Sequence, residues 1–175
     1  MRFNAERSGY TLVEAIVVFM IVAILSFGIG SFIVSSVRLW AFVSGRQSAT
    51  KISQAALNRM VNEIKKIPRG AGLLKMTTSE VQFTNYDSAN SIDFQQNGSN
   101  LLRISGSNNN ILAAGLLTPA GKGLTFTYLN SSEAVTANSQ EVRSVRVLLS
   151  LAAGGQTVTL ETSARIRAYE IRYSP

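Results

Sequence analysis

One stretch limits what this chain can become more than any other. Ala15 to Val37, AIVVFMIVAILSFGIGSFIVSSV, contains no Asp, Glu, Lys or Arg. At about 1.5 Å of rise per residue, roughly 20 apolar residues in a helix are enough to cross a bilayer. A helix apolar on every side needs lipid or protein around it. Immediately before the run stands one acid, Glu14, in the phrase Ser8-Gly9-Tyr10-Thr11-Leu12-Val13-Glu14. A carboxylate at the mouth of a membrane segment is costly and marks a functional position.

Composition removes most chemistries. The chain of 175 residues has 46% hydrophobic and 15% charged residues, which argues against disorder. It lacks cysteine, so disulfides, thiol catalysis and Cys-bound metals are excluded. It also lacks histidine, the commonest general base and metal ligand. The two aspartates, Asp87 and Asp93, sit in different surroundings and make no calcium loop. Gly70-Ala71-Gly72 and Gly121-Lys122-Gly123 lack the spacing of a phosphate-binding loop. Glu161 and Glu170 have Arg165 and Arg167 between them and read as cross-strand ion pairs rather than paired catalytic carboxylates. No enzymatic activity, cofactor or metal is therefore expected. The net charge of +7 admits nucleic acid, anionic lipid or plain solvated surface as its explanation. Arg143, Arg146, Arg165, Arg167 and Arg172, with Tyr169 and Tyr173, make a possible basic strip. An ordinary charged sheet face explains the same residues, and nucleic acid is a secondary expectation as a partner.

Ser8-Gly9, then Tyr10-Thr11-Leu12-Val13-Glu14 and a long apolar helix, resembles the class III signal of type IV prepilins and pseudopilins. That pattern has a short basic leader ending in Gly, an aromatic residue after the cut, and Glu at the fifth position beyond it. The resemblance covers roughly the first 40 residues. It implies cleavage after Gly9 by an inner-membrane prepilin peptidase, methylation of the Tyr10 amine, and a role for Glu14 in subunit registration. It implies a helix that first anchors the subunit in the inner membrane and then packs in a filament core. Partners would be other pilin or pseudopilin subunits, the peptidase, the inner-membrane assembly platform, and membrane lipid before assembly. Tyr10 stands where the family usually has Phe, and Ser31 where many pilins have a helix-breaking Pro. Gly28 and Gly30 lie inside the apolar run, and Ser26/Gly30 and Ser31/Ser35 are small residues four apart. That spacing permits close helix approach, and each Gly weakens the helix by about 1 kcal/mol.

Beyond Val37 the helix turns amphipathic. Ala49, Ile52, Ala56, Met60, Ile64 and Ile67 form a stripe widened by Leu57 and Val61, and Pro68 is expected to end it. Ser44-Gly45 is a plausible bend, and Glu63 and Lys66 a weak pair. After Gly72 the period drops to two. Val81 to Thr84 is a short strand. Ser91 to Ile104 is a hairpin turning at Asn97-Gly98. Asn108-Asn109-Asn110 is a turn or loop, and Ile111 to Leu117 a strand or buried connection. Leu124 to Tyr128 is a strand, and Ser131 to Gln140 a polar loop. Val145 to Leu151 and Val158 to Ile166 form a long hairpin about Gly154-Gly155. The fold class expected is α+β: a long N-terminal helix packed on an antiparallel β-sheet. This order of elements is similar to that of J-type minor pseudopilins and related minor pilins. The missing cysteines depart from major pilins that close a C-terminal loop with a disulfide.

The expected organisation is a leader at 1–9, a membrane and filament-core helix at 10–37, its amphipathic continuation at 38–68, and a sheet domain at 69–175. The function it suggests is a structural subunit, a minor pilin or minor pseudopilin, of a type IV pilus or type II secretion pseudopilus. Such a subunit sits first in the inner membrane with its soluble domain in the periplasm. The rival is an uncleaved, membrane-anchored binding module, with DNA as one ligand.

Overall fold

The computed structural model describes residues 11–68, 72–85, 88–118, 120, 122–153 and 155–167. Helix α1 runs Leu12–Ile64. Eight strands follow: β1 Leu73–Met76, β2 Glu80–Asn85, β3 Ser88–Asn97, β4 Asn100–Ser105, β5 Asn108–Ala114, β6 Leu124–Leu129, β7 Ser144–Ala153 and β8 Gln156–Arg165. The chain divides into two compact units, the first ending at Phe42 and the second beginning at Val43. The architecture is the expected α+β, one long helix and antiparallel strands.

In the first unit the helix is hydrogen-bonded throughout, and every side chain from Leu12 to Ala41 is exposed. The Ser44-Gly45 step does not interrupt it. In the second unit the helix has a buried arc made of Ala49, Ser53, Ala56, Leu57, Met60, Glu63 and Ile64. At about 100° per residue these positions cluster on one side of the cylinder. Ile52, expected in the stripe, falls just outside that arc and is 40% exposed. The neighbouring Ser53, small enough to admit the sheet, is fully buried instead. The helix ends four residues before Pro68. Its last turn tightens: Lys66 N–H donates to Glu63 O (3.0 Å) and Ile67 N–H to Ile64 O (3.1 Å), three residues back.

The strands form two antiparallel sheets rather than one, a five-stranded meander β1-β2-β3-β4-β5 and a three-stranded β6-β7-β8. Alternation in β2 and β3 puts Val81, Phe83, Ile92 and Phe94 on one face. Phe126, Val145, Val147 and Leu149 do the same in the second sheet. Together with Ala56, Met60 and Ile64 of the helix these residues make one core. Met60, Phe83 and Phe94 are wholly buried, worth on the order of 1.5–3 kcal/mol each. The long hairpin forms as expected, with β7 and β8 in register from Ser144↔Arg165 to Ala153↔Gln156.

Several turns differ from the sequence expectation. Asn97 pairs with Asn100, so the two turn residues are Gly98-Ser99, with φ +59° at Gly98. That is the left-handed value a Gly-first hairpin turn demands. Ser105 pairs with Asn108 across a second turn of the same kind, Gly106-Ser107. The three asparagines therefore begin strand β5 instead of forming a loop. Strand β1 was not expected, because four residues carry too little alternation to signal a strand. It pairs with β2 through an irregular register.

The sheets are tied by polar groups as well as by the core. The Gln96 amide donates to Leu117 O and accepts from Leu124 N–H (2.9 Å). Gly123 lies so close to this tie that a Cβ there would meet Leu117 O at 2.1 Å. Leu116 bridges Leu151, and Leu117 N–H donates to Ser150 O (3.0 Å).

Candidate functional site: an exposed apolar helix behind one acid

Gly9 and Tyr10, the expected cleavage and methylation positions, lie outside the described residues. Glu14 is in the first turn of α1, exposed, with its N–H donating to Thr11 Oγ1 (3.3 Å). Ala15 N–H donates to Thr11 O (3.2 Å), the first bond of the helix. Thr11 is thus the N-cap, satisfying an N–H that has no partner within the helix. Thr11-Leu12-Val13-Glu14 has the Ser/Thr-x-x-Glu spacing of a capping box, and that spacing would have revealed the cap from sequence. The carboxylate also sits at the positive end of the helix dipole. Three local properties converge on this position: an acid, a helix start, and the edge of the apolar run.

From Leu12 to Ala41 the large apolar side chains lie in the open. Phe19, Ile24, Phe27, Phe32 and Trp40 are among the most exposed, each above 70%. The helix is long and apolar enough to cross a membrane, with mean hydropathy 2.7 over its best 18-residue window and none of that window buried. Two of the serines inside it are closed onto the helix's own carbonyls. Ser26 Oγ donates to Val22 O (2.7 Å) and Ser31 Oγ to Gly28 O (2.9 Å). Back-bonding of this kind satisfies those two hydroxyls without water. A Cβ added at Gly28 or Gly30 would meet nothing within 4 Å. Packing inside this chain does not require either glycine.

At the other end of α1 sits its second acid, Glu63, with a side chain only 9% exposed. It accepts from Arg59 Nε on its own helix and from Arg103 Nε of β4, the latter at 3.0 and 2.9 Å on its two oxygens. The carboxylate and the C-terminal end of a helix repel, and two guanidinium groups reverse that. The cluster fastens helix to sheet. Glu63 is thus a buried tie between the helix and the sheet.

The basic strip is broken up by acids and backbone. Arg146 pairs with Glu161 across β7 and β8 (3.1 Å), as expected for a charged sheet face. Arg143 Nη1 donates to Gln140 O (2.8 Å) and Val142 O (3.1 Å). Arg143 and Arg165 line a polar groove of about 270 Å³ together with Glu133. Tyr169, Glu170, Arg172 and Tyr173 lie outside the described residues. A second, more apolar groove of about 350 Å³ lies beside β6, between Met76–Thr78 and Val135–Ala137. Beneath it Tyr128 donates to Thr77 O (3.0 Å) and Glu80 O (3.1 Å), and burial pushes its hydroxyl pKa upward.

On the outer face of the first sheet, Lys75 Nζ pairs with Glu80 (2.7 Å). Asp93 lies close by with a buried Oδ1 that has no hydrogen-bond partner. Burial, and then the charge of Glu80, push the Asp93 carboxyl up to about 6. Comparison with protein-family models and with curated protein sequences finds no match.

Proposed function

We propose that this chain is a pilin-like structural subunit, a minor pilin or minor pseudopilin of a type IV pilus or type II secretion pseudopilus. The observation that carries the reading is the bare apolar helix from Leu12 to Ala41. Leaving that surface in water would cost on the order of 25 cal/mol for every Å². It needs lipid in one state, and neighbouring helices of the same kind serve in another. Two features support helix neighbours as the second environment. Gly28 and Gly30 have open space around them, and small residues in membrane helices admit a second backbone. The leader-like Ser8-Gly9-Tyr10 precedes the helix, with Glu14 four residues after Tyr10.

On this reading a prepilin peptidase removes residues 1–9 and the Tyr10 amine is methylated. The subunit waits in the inner membrane with residues 43–175 in the periplasm, then enters the filament through its helix. Glu14 loses access to headgroups and water there and takes a cation, the Tyr10 amine of its own or a neighbouring chain. A charge-assisted bond of that kind fixes the axial register between helices. Intact-mass measurement of the protein from its native membrane tests the proposal. Loss of Met1 to Gly9 with gain of one methyl group is the expected result. A full-length chain would overturn it in favour of a permanently anchored binding module.

A further inference from the structure

The two sheets have four edges, and three of them are managed. Strand β1 is four residues long, carries Lys75 and pairs irregularly. The outer side of β6 is taken by Thr78 O, which accepts Phe126 N–H (2.7 Å), and by Thr136 N–H, which donates to Tyr128 O (3.0 Å). Strand β8 carries Glu161 and Arg165, and Lys65 O closes the end of its edge by accepting Arg167 N–H (3.4 Å). Short length, charge and covering segments are the usual ways of keeping an edge from pairing with another chain. Strand β5, NNNILAA, uses none of them. It has no charged residue and no proline, Ile111 on it is 61% exposed, and among the described residues nothing covers its outer side.

We propose that β5 is an interface between two copies of this chain, whose β5 strands add to one another antiparallel about a two-fold axis through Asn110.

The register follows from the obstacles. The two-residue turn Gly106-Ser107 sets Ser105 and Asn108 as a hydrogen-bonded pair. By alternation Asn110 turns its backbone to β4, while Asn109 and Ile111 present theirs to the open edge. Farther along, that edge is occupied: Ala152 N–H donates to Gly115 O (2.9 Å) and Leu116 bridges Leu151. An incoming strand must therefore stop before Gly115. With the axis at Asn110, the partner strand's first residue lies opposite Leu112 and its turn carries the chain away next. Asn109 and Ile111 of each copy then exchange backbone hydrogen bonds with Ile111 and Asn109 of the other. The Asn110 amides meet across the axis, each offering donors and an acceptor. Like charges directly opposite destabilise a strand pair, and in a chain of net charge +7 this edge brings none together. The contact is small by itself. Two copies held in one bilayer by α1 gain the effective concentration that makes a small contact count.

Cysteine cross-linking of the full chain in lipid vesicles tests this, because the chain has no cysteine of its own. A non-hydrogen-bonded antiparallel pair holds its Cα atoms about 4.5 Å apart, within disulfide range. On mild oxidation Asn110→Cys should form disulfide-linked dimer at least about tenfold faster than Leu74→Cys or Thr159→Cys, which report collisions at the other edges. Adding Asn109→Lys and Ile111→Lys to Asn110→Cys should abolish the dimer. Mixing that variant with one bearing Asn109→Glu, Ile111→Glu and Asn110→Cys should restore a mixed dimer, which also shows that both variants fold. Equal rates at the three single-cysteine positions, or a dimer that survives the lysines, would overturn the proposal. Neither outcome depends on processing or filament growth, so this test and that of the pilin reading fail separately.

Discussion

Glu14 is the only acid in the exposed part of α1, and its value lies in what surrounds it in each state. On the proposed pilin reading, the helix dipole and nearby water accommodate it in a lone subunit, and the filament core is its second environment. In a packed core an unpaired carboxylate is strongly unfavourable. Glu14→Ala should leave cleavage and membrane residence unchanged. Its recovery in sheared filaments, normalised to the membrane pool, should fall at least about tenfold, the equivalent of 1.4 kcal/mol. Equal recovery of variant and parent would remove Glu14 from assembly. Asp93 carries a different kind of information. Its folded-state pKa is raised from 3.8 to about 6, so the protonated form is favoured by folding. The stabilisation is fully present below about pH 4 and is lost as pH rises through 6. The thermal midpoint should fall across that interval and stay flat in Asp93→Asn. At pH 7 the variant should be the more stable, by less than about 1 kcal/mol because solvent screens this partly open site.

At the scale of the element, α1 does two jobs with one geometry. Its first part is apolar all round, and its last part is apolar on one arc. Glu63 decides how the second part is fastened. Removing Arg103 takes away the carboxylate's partner on the sheet, and Arg59 on the helix has a side chain 58% exposed. Arg103→Ala should therefore cost about 2–4 kcal/mol by chemical denaturation, near the range for breaking a buried pair. Replacing both partners, Glu63→Met with Arg103→Met, should cost less than the single change. A single variant no worse than the double one would mean that the pair is not desolvated enough to matter. The β-hairpins show the opposite economy: Gly98 and Gly106 each hold a positive φ at the first turn position, and the strands on either side follow.

At the scale of the whole molecule, the hydrophobic core among the described residues lies between Ala49 and Ile166. Removing residues 1–42 takes nothing from that core. A chain starting at Val43 should dissolve without detergent and unfold in one cooperative transition, with a midpoint within about 4 °C of that of the full protein, equivalent to roughly 1 kcal/mol or less. A broad, non-cooperative melt would show that the helix's first part supports the second unit.

Much of this molecule is local and therefore legible in the sequence. The apolar run, the docked stripe, the alternation in β2, β3, β6, β7 and β8, and the α+β class follow from periods of 3.6 and 2. The acid at the helix entrance is visible the same way, and so is its capping partner Thr11 once the spacing is noticed. What tertiary structure alone decided is which distant groups meet. Glu63 finds Arg103, 40 residues away. Ser53 rather than Ile52 faces the sheet, because the centre of the buried arc depends on the surface it meets. The strands split into two sheets after Ala114, where Leu116 and Leu117 take partners on β7, and β1 exists only because β2 is beside it. A pattern along the chain specifies which face of an element is apolar. The register and identity of its neighbour are set by packing between segments that the pattern does not connect.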